Sequence, residues 1–227
     1  MKIISFNYIF RSVFLELRKS MRLSLPLIGS QLIYALNGII TTIMVAHLGR
    51  DELATNALVW VVYITLVLFF IGILNAVCVL VAQNHGANDD HGVHLAVTQG
   101  IILAFIFTIP MMVMMWFAPV ILYWTGQNPA TIQLAIPYCH ALALGMLPLN
   151  LLFVMEQFLI GISITRPVLF LSILKVPIEI LFIYILLFGK WGLPKLGLAG
   201  VGYGITVSVT IITILIGCYT FFSKRCY

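Results

Sequence analysis

Six stretches of this chain stay apolar for about 20 residues or more, the length needed to cross a bilayer, and no other property constrains its fold as tightly. They run Leu23–His47, Ala57–Ala82, Leu95–Met115, Thr131–Gln157, Val168–Phe188 and Leu196–Phe222. Between them lie short joints rich in helix breakers: 48–51, 86–90, 126–129, 161–167 and 189–197. In hydrocarbon each backbone N–H and C=O must be satisfied inside its own segment, so each stretch is expected to be a helix. The expected fold class is all-α, a polytopic bundle of six transmembrane helices. Composition agrees, because 62% hydrophobic against 8% charged residues excludes an ordinary soluble domain.

The few charges sit where orientation can be read. With a cytoplasmic N-terminus, Lys2, Arg11, Arg18, Lys19, Arg22, Arg166, Lys224 and Arg225 fall inside, and Arg50, Lys190 and Lys195 outside. That asymmetry favours both termini on the cytoplasmic side of an inner membrane. Residues 1–22 mix Ile3, Phe6, Phe10, Phe14 and Leu17 with basic positions, which suits an amphipathic segment on the inner membrane surface. Residues 23–222 form the six-helix unit, and 223–227 a short cytoplasmic tail. No basic stripe interleaved with exposed aromatics points to nucleic acid, so the expected partners are membrane lipids and small molecules.

Lys175 and Glu179 stand one helical turn apart in the middle of the fifth stretch. The centre of a span is ~15 Å from either interface, too far for either side chain to reach water. Ionisable groups placed there are by default candidates for a substrate or ion site, and the alternative is an ion pair that fixes helix packing. Lys before Glu at i, i+4 is the weaker helical orientation, so further partners such as Tyr138 or Thr41 are expected. Asn37 and Thr41 lie one turn apart in the first span, where Thr41 either lines a cavity or bonds its own backbone. His85, His91, His94, Asp89 and Asp90 are read as a solvated turn rather than a metal site. Glu156 falls at the inner end of the fourth span, near water. No phosphate-cradling loop and no one-sided catalytic constellation is present, so no enzyme activity and no prosthetic cofactor are expected.

The order of motifs resembles one family. The first span reads Leu25-Pro26-Leu27-Ile28-Gly29-Ser30-Gln31 and closes on Met44-Val45-Ala46-His47-Leu48-Gly49. The second ends Val81-Ala82-Gln83-Asn84-His85-Gly86-Ala87, and a later joint reads Gly161-Ile162-Ser163-Ile164-Thr165-Arg166-Pro167. The last joint leads into Leu196-Gly197-Leu198-Ala199-Gly200-Val201-Gly202. From Leu23 to Phe222 this resembles the N-terminal lobe of the MATE family, the multidrug and toxic compound extrusion transporters of bacteria and other organisms.

The resemblance implies one of two six-helix lobes that face each other across a central cavity and exchange Na⁺ or H⁺ for bulky organic cations. A homodimer or a separate second lobe would then complete the transporter. It also implies bending at Pro26, structural roles for Gln83, Gly86, Arg166 and Pro167, and a polar pocket shared by Tyr138 and Thr206. Thr41 stands where many prokaryotic members carry an acidic coupling residue, and Lys175 and Glu179 stand where Asn or Asp is typical. A lysine fixed beside Glu179 would occupy the place of a coupling cation and make the carboxylate a poor proton carrier; alternatively the two groups separate during the cycle, so that Glu179 takes up a proton when Lys175 points elsewhere. Two other readings stay open, a non-transporting remnant or modulatory subunit and a lipid-linked sugar flippase of the wider superfamily.

Overall fold

The need to satisfy every backbone group within its own segment is met throughout by helices. The computed structural model describes residues 6–192 and 194–222, and among these residues it contains nine of them. They are α1 (Phe6–Ala46), α2 (Arg50–Leu74), α3 (Ala76–Gly86), α4 (Asp90–Trp116) and α5 (Ala118–Trp124), followed by α6 (Pro129–Leu144), α7 (Met146–Gly161), α8 (Arg166–Phe188) and α9 (Leu198–Phe222). Five spans are long and apolar enough to cross a membrane: Ser24–Ala46, Arg50–Gly86, Asp90–Trp116, Arg166–Phe188 and Leu198–Thr220. The pair α6 and α7, bent by 43° at its junction, makes a sixth. The protein is therefore an integral membrane protein, and its six spans fall on the six apolar stretches.

The joints follow local chemistry. Asp89 caps α4 by accepting from the Gly92 amide at 3.0 Å, and Asn128 caps α6 by accepting from the Ala130 amide at 3.1 Å. Pro167 occupies the first turn of α8, where its missing N–H is harmless. Among the described residues no group of three His, Cys, Asp or Glu side chains is arranged to hold a metal ion. Residues 6–22 are the leading turns of α1 itself, in one helix with the first span. The side chains of residues 6–20, 22 and 23, together with residues 1–5 and 223–227, lie outside the described residues, and so do the surface segment's amphipathic face and the tail.

Two interruptions inside spans were not expected from sequence, at Asn75 and Gly145, and a further break at Phe117 follows the third span. The one at Gly145 has a clear cause. Pro148 brings no amide to the first turn of α7, which removes the hydrogen bond that would carry the helix on from Leu144. The Gly145 amide turns to the Leu142 carbonyl at 3.0 Å. The Ala141 carbonyl is taken by the Thr206 hydroxyl of α9 at 2.8 Å, while Thr213 donates to the Pro148 carbonyl at 2.8 Å. One helix thus supplies hydroxyls on both sides of the bend in another.

Helix α9 is central to the packing, against α8, α6 and α7. Its opening turns explain the closeness. A Cβ on Gly200 would lie 2.6 Å from the Leu186 carbonyl carbon, and one on Gly204 would lie 2.8 Å from the Ile183 amide nitrogen. These two glycines, one turn apart, let the backbones of α8 and α9 touch, as small residues do wherever membrane helices approach closely. Helix α1 leans mainly on α8 and more lightly on α2. Its other face presents Leu25, Ile28, Leu32, Leu36 and Ile43 outward.

Candidate functional site

Two polar stripes face each other where α1 meets α8. On α1 they are Tyr34, Asn37 and Thr41; on α8 they are Ser172, Lys175 and Glu179. Both follow i, i+3, i+7, the spacing that keeps side chains on one face of a helix.

Glu179 is the hub. It is only 4% exposed, and its Oε1 accepts a hydrogen bond from Asn37 Nδ2 at 2.7 Å. Its Oε2 lies 3.4 Å from Lys175 Nζ. Ser208 of α9 places its hydroxyl 3.4 Å from the same oxygen while donating to the Ile205 carbonyl at 2.8 Å. A buried carboxylate needs partners of this kind, because an unpaired charge in hydrocarbon is strongly disfavoured. Lys175 Nζ also stands 4.8 Å from the centre of the Tyr34 ring, within cation–π range. The partners of the ion pair are thus Asn37, Ser208 and Tyr34, in place of the expected Tyr138 and Thr41.

From Tyr34 the polar chain continues toward the α7–α8 joint. The Tyr34 hydroxyl donates to Glu156 Oε1 at 3.2 Å and lies 3.1 Å from Ser172 Oγ, which itself donates to the Val168 carbonyl at 2.8 Å. Glu156, read from sequence as a residue near water, is half-buried and joined to the centre through Tyr34.

On the other side of Asn37 a cavity of about 590 Å³ opens between α1 and α2, lined among others by Thr41, Asn56, Trp60, Tyr138 and Ile205. Trp60 stacks on Tyr63 with ring centres 5.2 Å apart. Tyr138 is fully buried and donates to Asn56 Oδ1 at 2.9 Å. Asn37 Oδ1 and Thr41 Oγ1, one turn apart on α1, are buried without a hydrogen-bond partner among the described residues. Thr42 bonds the helix backbone instead, donating to the Gly38 carbonyl at 2.8 Å.

The expected site residues divide accordingly. Asn37, Lys175 and Glu179 converge, and Thr41 and Tyr138 line the adjoining cavity. Thr206 serves the α6–α7 bend. Pro26 lies within the unbroken helix α1, Gln83 and Gly86 end α3, and Arg166 and Pro167 open α8. Sequence reading passed over Tyr34, Asn56, Trp60, Ser172 and Ser208, and the shared i, i+3, i+7 spacing on α1 and α8 was the signal available for Tyr34 and Ser172.

A six-span bundle holding a buried ion pair beside a largely apolar cavity defines the class: a helical membrane protein built around a charged intramembrane centre. The MatE family model matches residues 26–185, and the chain belongs to that family. It is 31% identical over 185 residues to the probable multidrug resistance protein NorM of Synechocystis sp., covering 82% of this chain and 40% of that protein. It is 26% identical over 211 residues to the multidrug resistance protein NorM of Vibrio cholerae, covering 92% of this chain and 46% of that one. The chain thus spans less than half the length of these relatives. The fold is that of an outward-facing multidrug resistance MATE family transporter of the MOP superfamily, with a TM-score of 0.82 at 22% identity over 91% of this chain and 45% of the other. The eukaryotic MATE transporter AtDTX14 is similar over 92% of this chain and 47% of its own, with a TM-score of 0.80 and 26% identity. The relatives it matches are named as multidrug resistance proteins.

Proposed function

We propose that this chain is one lobe of a secondary exporter of bulky organic cations, driven by Na⁺ or H⁺ moving the other way. The second lobe would be a further six-helix segment or a second copy of this chain. The observation that carries the reading is the buried Lys175–Glu179–Asn37 centre one helical turn from the cavity of Thr41, Asn56, Trp60 and Tyr138. Aromatic faces and a nearby carboxylate attract a delocalised organic cation, whose apolar body is at home among Ile39, Ile43 and Ile205.

Lys175 has a definite place in this reading. It holds Glu179 when no other cation does, so a cation entering the centre must displace it or share the carboxylate. The orphaned oxygens of Asn37 and Thr41 support this, because both are acceptors on the path from cavity to carboxylate. A lipid-linked sugar flippase would call for a basic cavity, whereas Lys175 pairs with Glu179 and does not line this one. In this reading the basic N-terminal segment and both termini lie at the inner face of a bacterial inner membrane, which the distribution of Lys and Arg supports.

The test is accumulation of tetraphenylphosphonium in an efflux-deficient bacterial host, with and without an uncoupler. Cells making this chain are compared with cells making Glu179→Gln at equal abundance. The expected result is uncoupler-sensitive export that disappears in the variant. Identical accumulation in both strains and in cells lacking the chain, with the protein inserted in the membrane, would overturn the reading of a lobe that exports.

A further inference from the structure

Away from the first turns of the spans, the charged side chains among the described residues are three: Lys175, Glu179 and Glu156. Asp51, Glu52, Asp89 and Asp90 lie at joints, as do Arg50, Arg166, Lys190 and Lys195. One ammonium and two carboxyl groups share the interior, and the ammonium can neutralise only one of them at a time. It now pairs with Glu179 at 3.4 Å. Glu156 has the Tyr34 hydroxyl as its hydrogen-bond partner and, among the described residues, no ion pair.

The three groups are placed for exchange. Lys175 Nζ already rests against the face of Tyr34, 4.8 Å from the ring centre, and the hydroxyl of that ring is bonded to Glu156. A lysine has a flexible stem of four methylenes and a point charge without directional demands, so it can change partners where an arginine fork would be held by its geometry. The Tyr34 ring lies between the two carboxyl groups and offers the ammonium a favourable surface on the way, which partial burial makes more valuable.

We propose that Lys175 is a shared internal counter-ion with two alternative partners, Glu179 beside the cavity and Glu156 beyond Tyr34. Glu156 is thereby a positioning residue: it touches no cavity-bound cation, yet it gives Lys175 somewhere to go when a cation claims Glu179. The use of that exchange in transport rests on the export reading above, whereas the exchange itself does not.

The first experiment therefore leaves transport aside. Thermal midpoints are measured for the full chain in lipid nanodiscs, for Glu156→Gln, Glu179→Gln and the double variant, each with Lys175 and with Lys175→Met. If either carboxylate can hold the lysine, each single change costs little, because the other takes over. The double change strands a buried ammonium and lowers the midpoint by on the order of 10 °C more than the sum of the singles. With Lys175→Met that excess vanishes. Losses that simply add when Lys175 is present overturn the shared counter-ion.

The second experiment measures tetraphenylphosphonium binding to the same nanodiscs. Glu156→Gln is expected to weaken binding about tenfold, equivalent to ~1.4 kcal/mol, when Lys175 is present and to leave it unchanged with Lys175→Met. A merely structural role for Glu156 would weaken binding equally in both backgrounds and overturns the positioning role. Absence of binding in every protein overturns the organic-cation reading and with it the positioning role, and the thermal cycle still decides whether the lysine is shared.

Discussion

Thr41 and Tyr138 show how differently two cavity residues can be held. Tyr138 is fully buried and satisfies Asn56, so removing its hydroxyl leaves the Asn56 oxygen without its donor. Hydrogen bonds inside membrane bundles contribute about 0.6 kcal/mol on average and up to ~1.7. Tyr138→Phe is expected to fall in that range, read as a lowered thermal midpoint in nanodiscs. Among the described residues the Thr41 hydroxyl has no partner to lose. Thr41→Val keeps the shape and is expected to leave the midpoint unchanged while weakening tetraphenylphosphonium binding; unchanged binding would remove Thr41 from the site. The centre itself was legible in sequence at Lys175, Glu179 and Asn37, because strongly polar groups stand out in an apolar run. Tyr34 and Ser172 were not, since tyrosine and serine are ordinary in membrane helices and only their register against α8 and α1 gives them meaning. Glu156 was legible only as a residue near the inner end of a span, because its bond to Tyr34 depends on another helix reaching over.

At the level of elements, α8 and α9 meet through backbone, and α1 meets α8 through side chains. Gly204 fixes the first contact, since an added Cβ would lie 2.8 Å from the Ile183 amide nitrogen. Gly204→Ala is expected to cost about 1–3 kcal/mol, as overpacking does in close-fitted interiors. Gly217, further along the same helix, has no atom within 4 Å of the same position, and Gly217→Ala is expected to be neutral or slightly stabilising. Equal effects at the two sites would show that the α8–α9 contact is looser than described. The spans and joints were readable because apolar length and breaker residues are local properties. The bend between α6 and α7 was only half readable: Pro148 announces a lost hydrogen bond, but its position depends on Thr206 and Thr213, which lie on α9.

For the whole molecule, six spans make the joints alternate between the two faces of the membrane. Single cysteines introduced at Asn88 and Ser163 are expected to react with an impermeant maleimide from one side, and those at Asp51, Gln127 and Gly192 from the other. Labelling of Asn88 and Gln127 from the same side would break the six-span count. The same alternation fixes depth within the lobe. Glu179 sits near mid-span on α8, whereas Glu156 lies five residues before the end of α7 at the joint that precedes Arg166. The two carboxyl groups are thus at different heights in the bilayer, and an ammonium passing from one to the other carries charge along the membrane normal. A full crossing of one charge is worth ~2.3 kcal/mol per 100 mV. Part of that crossing, made inside a single lobe, would let membrane voltage decide which carboxylate holds the lysine.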